Sequence, residues 1–192
     1  MSIFNLYLSL GFDHIADFAG YDHILFILTL CTVYSLKQWK NLLVLITAFT
    51  VGHSITLVLG VLNLVSIPSN IIEFLIAFTI FITSVSNFFQ AGNIVSKNMH
   101  RVKYLFVLFF GLIHGLGFSN YLRSFFGQEE SFVLPLFAFN VGIELGQIII
   151  VSSVMLILTL ATKYVRIIQV IITYLLSTLA ALISIYLMIE RF

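Results

Sequence analysis

Six continuous apolar runs constrain this chain more than any other feature, because each is longer than the interior of a small soluble domain would use. They cover residues 21–35, 42–65, 71–89, 102–118, 133–162 and 167–189. A membrane-spanning helix needs about 20 mostly apolar residues, with a range of roughly 17–25. The first run is short, and residues 11–20 extend it as a helical turn or an interfacial segment. The fifth is long and must tilt or protrude. Continuity without polar alternation excludes a β-barrel. Composition agrees: 60% of the 192 residues are hydrophobic and 9% charged, too few charges to cover a soluble surface. A disordered chain, a nucleic-acid binder and a disulfide scaffold are excluded as well. Cys31 is the single cysteine, and it reads as a small apolar packing residue. The expected fold is all-α: one integral membrane domain over residues 1–192, with about six transmembrane helices and a short extracytoplasmic N-terminal segment.

Loop charges orient this bundle. Lys37, Lys40, Lys97, Arg101, Lys103, Lys163 and Arg166 fall on one side, and only Arg123 and Arg191 on the other. The positive-inside rule makes the basic side cytoplasmic and puts both termini outside. The expected location is the cytoplasmic (inner) membrane of a bacterium. The N-terminal segment carries Asp13, Asp17 and Asp22 but no basic residue, so it lacks the start of a signal peptide and reads as part of the mature protein. A three-plus-three arrangement of spans would be inverted, because spans one and four run in opposite senses. The only internal echoes, Gly52-His53-Ser54 and His114-Gly115, are too weak to count as a repeat.

Ionisable groups inside a bilayer cost roughly 2.5–3.5 kcal/mol each at a helix centre, so they mark function. Here they are Asp22 and His23 at the start of span one, His53 in span two, Glu73 at the start of span three, His114 in span four and Glu144 in span five. His53 lies about 18 Å beyond Asn41, at about 1.5 Å of rise per residue, and His114 and Glu144 fall at similar depth. A polar column thus runs from the outer surface to the middle of the bundle. Asn140, Glu144 and Gln147 share one face of span five. Small residues accompany each polar group: Gly52, Ser54 and Thr56 beside His53, Gly111, Gly115 and Gly117 beside His114, and the Gly142/Gly146 pair in span five, as close helix packing requires.

Imidazoles with carboxylates and no thiolate form a nitrogen and oxygen ligand set suited to Zn, Ni, Cu or Fe. Asp22 either ligates at an irregular helix end or orients a histidine, and His14 reads as an entry ligand. Other groups have plainer roles. Glu73 suits the positive end of a helix dipole, Asp13 and Asp17 are solvated outer charges, and His100 is solvated in a basic loop.

Several blocks also resemble one family. Gly11-Phe12-Asp13-His14-Ile15 and Gly20-Tyr21-Asp22-His23-Ile24-Leu25-Phe26 are similar to the N-terminal signature of the HupE/UreJ bacterial membrane proteins. Phe49-Thr50-Val51-Gly52-His53-Ser54-Ile55-Thr56-Leu57, Phe110 to Phe118 and Phe139 to Gln147 resemble further motifs of that family. The resemblance covers about residues 10–190. It implies a nickel or cobalt permease and selects His14, Asp22, His23, His53, His114 and Glu144 by position.

Three functions follow as expectations. The leading one is transport of a divalent transition-metal ion (nickel, with cobalt or zinc as alternatives) through these six residues, supported by Glu73, Asn140 and Gln147. The ion is the expected bound species, membrane lipid and the ion the expected partners, and self-association into a homo-oligomer is compatible with the sequence. The second is a zinc-dependent hydrolase or transferase acting on lipid or lipoprotein at the outer leaflet, although neither HExxH nor a nucleophilic serine motif is present. The third is a non-catalytic subunit or haem protein.

Overall fold

The computed structural model describes residues 2–17, 20–126, 132–162 and 166–191. These hold seven α-helices and, among the described residues, no strand: α1 (Ile3–Ala16), α2 (Asp22–Cys31), α3 (Trp39–Val61), α4 (Ser69–Phe88), α5 (Lys97–Phe126), α6 (Val133–Thr162) and α7 (Arg166–Arg191). A single 3-10 turn, Leu36–Gln38, leads into α3. Among the described residues, five helical segments are long and apolar enough to cross a bilayer: Leu36–Val61, Ser69–Phe88, Lys97–Ser119, Val133–Thr162 and Ile168–Arg191. The chain is a multi-pass helical membrane protein, as the apolar runs require.

The N-terminal third differs in detail from the sequence reading. Of residues 11–20, expected to extend span one as a helical turn or an interfacial segment, 11–16 belong to a separate 14-residue helix, α1, capped by the Ser2 hydroxyl on the Asn5 amide, and 18 and 19 lie outside the described residues. Helix α1 is part of the core: Ile15 is fully buried and Tyr7 nearly so. The apolar run at 21–35 yields a helix of only 10 residues, about 15 Å long and too short to cross alone. Both short helices descend in the same sense, so the first crossing is broken between Ala16 and Asp22.

Three helix pairs build the bundle: α3 with α5, α1 with α6, and α4 with α7. The first two are parallel and rest on glycine. A Cβ on Gly52 would lie 2.3 Å from the Leu108 carbonyl oxygen, and one on Gly111 would lie 2.2 Å from that of Phe49. Likewise a Cβ on Gly11 would meet the Phe139 carbonyl at 2.0 Å, and one on Gly142 the Leu8 carbonyl at 2.1 Å. In lipid there is no hydrophobic force between helices, and this close backbone approach is what supplies packing and weak Cα–H···O contacts.

The two locks are copies of each other. Leu8, Gly11, His14, Phe18 and Tyr21 recur in order and spacing as Leu108, Gly111, His114, Phe118 and Tyr121; Phe49, Val51 and Gly52 recur as Phe139, Val141 and Gly142. Helix α1 therefore matches α5, and α3 matches α6. The matched helices run oppositely, since α3 and α6 are antiparallel: Ser54 meets Asn140 while Thr47 meets Glu144. The remaining pair, α4 and α7, is also antiparallel, with Glu73 near Arg191 and Phe88 against Tyr174. The fold is an inverted repeat of three helices, α1-α3-α4 and α5-α6-α7, with α2 inserted in the first. Sequence reading missed it because α2, taken as span one, threw the two halves out of register.

Gly111→Ala is expected to destabilise the protein by about 1–3 kcal/mol, the usual cost of overpacking. Gly20→Ala is expected to be neutral, since the nearest atom to its added Cβ is 3.8 Å away. Thermal unfolding in detergent distinguishes these; equal stabilities would contradict the backbone contact at Gly111.

Candidate metal centre

Four histidines from four helices meet inside this frame. His53 of α3 and His114 of α5 are brought together by the Gly52/Gly111 lock and are 0% and 2% exposed. His14 sits in the last turn of α1 and His23 in the first turn of α2, one on each side of the broken crossing. Ring centres are 4.7 Å apart for His14–His23, 5.3 Å for His23–His114 and 5.9 Å for His14–His53. Aromatic rings wall the cluster. Phe49 packs 5.0 Å from His114 and 6.0 Å from His53, and Phe118 lies 3.9 Å from His14. Phe118 in turn stacks on Phe139 at 5.1 Å.

Hydrogen bonding leaves these rings short of partners. His114 Nδ1 lies 2.8 Å from the Phe110 carbonyl oxygen. A carbonyl can only accept, so Nδ1 carries the proton and the neutral ring offers a bare Nε2. That Nε2, His14 Nε2 and both ring nitrogens of His23 and His53 are buried with no hydrogen-bond partner in the protein. A buried polar atom left unpaired costs about 1–3 kcal/mol. Six on four touching rings are a poor design for packing and a suitable one for binding.

The spacing fits a shared cation. Ligand distances of about 2.0–2.1 Å in tetrahedral geometry put imidazole centres roughly 5 Å apart. Orientation does not: among the described residues, no group of three His, Cys, Asp or Glu is arranged as it stands to hold a metal ion. The rings are gathered, but their nitrogens do not converge.

The carboxylates expected to join them are engaged elsewhere. Asp22 Oδ2 accepts from Arg191 Nη1 at 2.9 Å, which ties the start of α2 to the end of α7, while Oδ1 is buried and unpartnered. Glu73 is half exposed, 3.9 Å from Arg191 Nε. Glu144 accepts from Thr47 at 2.6 Å and from Thr50 at 2.5 Å. Asn140 and Gln147 share its face, as the helical spacing predicts, and meet Ser54 and Thr50. Asp13 and Asp17 are exposed, and with His14, Leu10, Phe118 and Tyr121 they line a cavity of about 540 Å³. That cavity leads from the surface to the His14 ring. His100 is not in a loop but in the first turn of α5, with its Nδ1 3.2 Å from the Tyr34 hydroxyl.

A family model described as HupE / UreJ protein matches residues 1–191. The chain belongs to the HupE/UreJ family. Membership supports a role in metal transport across a membrane. No curated protein and no solved structure matches the chain. In this HupE/UreJ chain, the histidines and the acidic residues were legible one by one. The partners Arg191, Thr47 and Thr50 were not. Arg191 reads in sequence as a terminal basic residue, and threonines in an apolar helix usually bond their own backbone, as Thr50 also does to Ile46.

Arg191→Gln is expected to lower stability by on the order of 1 kcal/mol, since Arg191 and Asp22 side chains remain 21% and 14% exposed. Chemical unfolding in detergent measures it, and Asp22→Asn should add little in the Arg191→Gln background. Additive losses would mean that the pair is not coupled.

Proposed function

We propose that this protein transports a divalent transition-metal ion through a site formed by His14, His23, His53 and His114, with Asp22 alongside. The observation that carries the reading is the set of six buried, unpartnered ring nitrogens on four neighbouring imidazoles. Turning the rings, without moving the helices, is the adjustment that binding needs. An all-imidazole set suits nickel or zinc over a hard ion such as magnesium.

The path begins in the cavity beside Asp13 and Asp17, whose charges concentrate cations at its mouth. His14 takes the ion first and His23 passes it across the break between α1 and α2. By the positive-inside rule, Lys37, Lys40, Lys97 and Arg101 lie at the cytoplasmic end. The cavity then faces outward, both termini are extracytoplasmic and the host membrane is the inner membrane. Inverted repeats are a usual frame for alternating access, with substrate bound near the midplane at the repeat interface. Here His14 belongs to the α1·α6 pair and His53 and His114 to the α3·α5 pair, so rocking one pair against the other changes which side reaches the ion.

Nothing favours the hydrolase reading. Its candidate general bases are occupied, Glu144 by Thr47 and Thr50 and Glu73 beside Arg191. A haem is disfavoured because Phe49, Phe118 and Phe139 fill the space around the imidazoles.

Purified protein equilibrated with Ni²⁺ or Zn²⁺ should retain about one ion per chain by elemental analysis. His53→Ala combined with His114→Ala should weaken binding at least about a hundredfold, because two of the ligands are gone. Binding should also weaken as pH falls, since imidazole ligates only when deprotonated. Metal-free protein with no uptake into proteoliposomes would refute the proposal.

A further inference from the structure

The basic end of the bundle has no acid of its own to balance it. Lys37, Lys40, Lys97, Arg101 and Lys103 lie there, yet no Asp or Glu falls between Asp22 and Glu73 or between Glu73 and Glu129. Lys37, Lys40, Lys97 and Arg101 are exposed. Lys103, in the second turn of α5, is 6% exposed. A lysine that merely snorkels stretches its head into water, and this one does not. Its ammonium stands 5.9 Å from the centre of the Tyr34 ring and forms no ion pair among the described residues. An aromatic face offsets only part of the cost of taking an ammonium out of water.

Lys103 borders a cavity of about 130 Å³ between α4 and α5, with Leu30 of α2 at its side. Gln90, just past the end of α4, borders it too. Gln90 is 8% exposed, and its Oε1 has no hydrogen-bond partner. Its Nε2 donates to the Ser86 carbonyl at 3.1 Å. Exchanging the two atoms would set oxygen against oxygen, so Oε1 is the free acceptor. The Thr83 and Ser86 hydroxyls are used within α4, donating to the Thr79 and Thr83 carbonyls. Ile82, Val107 and Phe110 make the rest of the wall apolar. From Lys103 to Phe110 the wall runs about 10 Å toward the bilayer middle. Val102 and Phe106 on the rim are exposed on the outside of the bundle, where the surroundings are lipid, so the cavity opens sideways.

We propose that Lys103 and Gln90 head a binding site for an anionic phospholipid whose headgroup carries hydroxyls, such as phosphatidylglycerol. The unpaired ammonium calls for an anion, the unpaired Gln90 oxygen for a hydroxyl donor, and the apolar slot below them for hydrocarbon. The lipid phosphate sits at Lys103, a headgroup hydroxyl donates to Gln90 Oε1, and the upper part of one acyl chain lies against Ile82, Val107 and Phe110. Basic pockets between spanning helices take anionic headgroups in this way. Helix α4 belongs to one repeat and α5 to the other, so the bound lipid joins the two repeats at this end. The site rests neither on the histidine cluster nor on the transport reading.

The test uses full-length, delipidated protein in detergent with no metal added. Thermal stability is followed as micelles are supplemented with phosphatidylglycerol or phosphatidylcholine, or as glycerol 3-phosphate is added to the solution at matched ionic strength. The expected result is a saturable upward shift with phosphatidylglycerol alone. Lys103→Met should be at least as stable as wild type without lipid, because it removes an unpaired charge, and should need at least about fivefold more phosphatidylglycerol for half its shift. Lys103→Arg should restore the response, and Lys40→Gln, on the exposed surface of the same end, should match wild type. If Lys103→Met does not fold, Ile82→Phe, which fills the slot, reads the same loss. Equal shifts with the two lipids would overturn the site. So would an equal shift with glycerol 3-phosphate, or equal losses in Lys103→Met and Lys40→Gln.

Discussion

Backbone contact at glycine is the interaction on which this bundle depends. Within a bilayer, apolar side chains gain nothing by leaving lipid for protein, so helices associate only where their surfaces fit closely or where polar groups meet. Gly52 with Gly111, and Gly11 with Gly142, bring main chain against main chain in the α3·α5 and α1·α6 pairs. His53 follows Gly52 directly, and His114 and His14 each lie one turn beyond a locking glycine. The same contacts that hold the helices together therefore carry three of the four imidazoles inward. A side chain at any of these glycines would separate the helices and disperse the rings.

The break between α1 and α2 brings in the fourth. A continuous helix would carry His14 and His23 more than two turns apart, about 13 Å along the axis. The interruption after Ala16 lets the chain turn, and the two rings stand 4.7 Å apart. Arg191, from the far end of the sequence, holds Asp22 and so fixes where α2 begins. Discontinuous helices at a repeat interface, with polar groups gathered at the break, are the arrangement by which membrane transporters make room for an ion. Family membership supports a metal transport role for this fold.

Much of this could be read from sequence, and the rest fails for identifiable reasons. Span existence was legible because hydrocarbon imposes a length and a composition on helices such as α3 and α6. The histidines stood out because each is costly in an apolar run. The face shared by Asn140, Glu144 and Gln147 follows from helical periodicity alone. What periodicity cannot give is the partner across the interface. The sequence singles out Glu144, but it does not show that Thr47 and Thr50 on a neighbouring helix donate to its two oxygens. The N-terminal helix was underestimated because Asn5, Ser9 and Asp13 dilute its apolar pattern, while its contact face, Leu8-Gly11-Ile15, is narrow. Once the pairing of helices is known, that same face aligns with Leu108-Gly111-Gly115, and the repeat becomes visible.

The central claim is that imidazoles from separate helices share one cation, and X-ray absorption at the metal edge of the loaded protein tests it most directly. The account predicts three or four nitrogen neighbours at about 2.0–2.1 Å, with the outer-shell scattering of imidazole rings and no sulfur. A shell of oxygen alone, or a spectrum unaltered when His53 and His114 are both replaced, would contradict it.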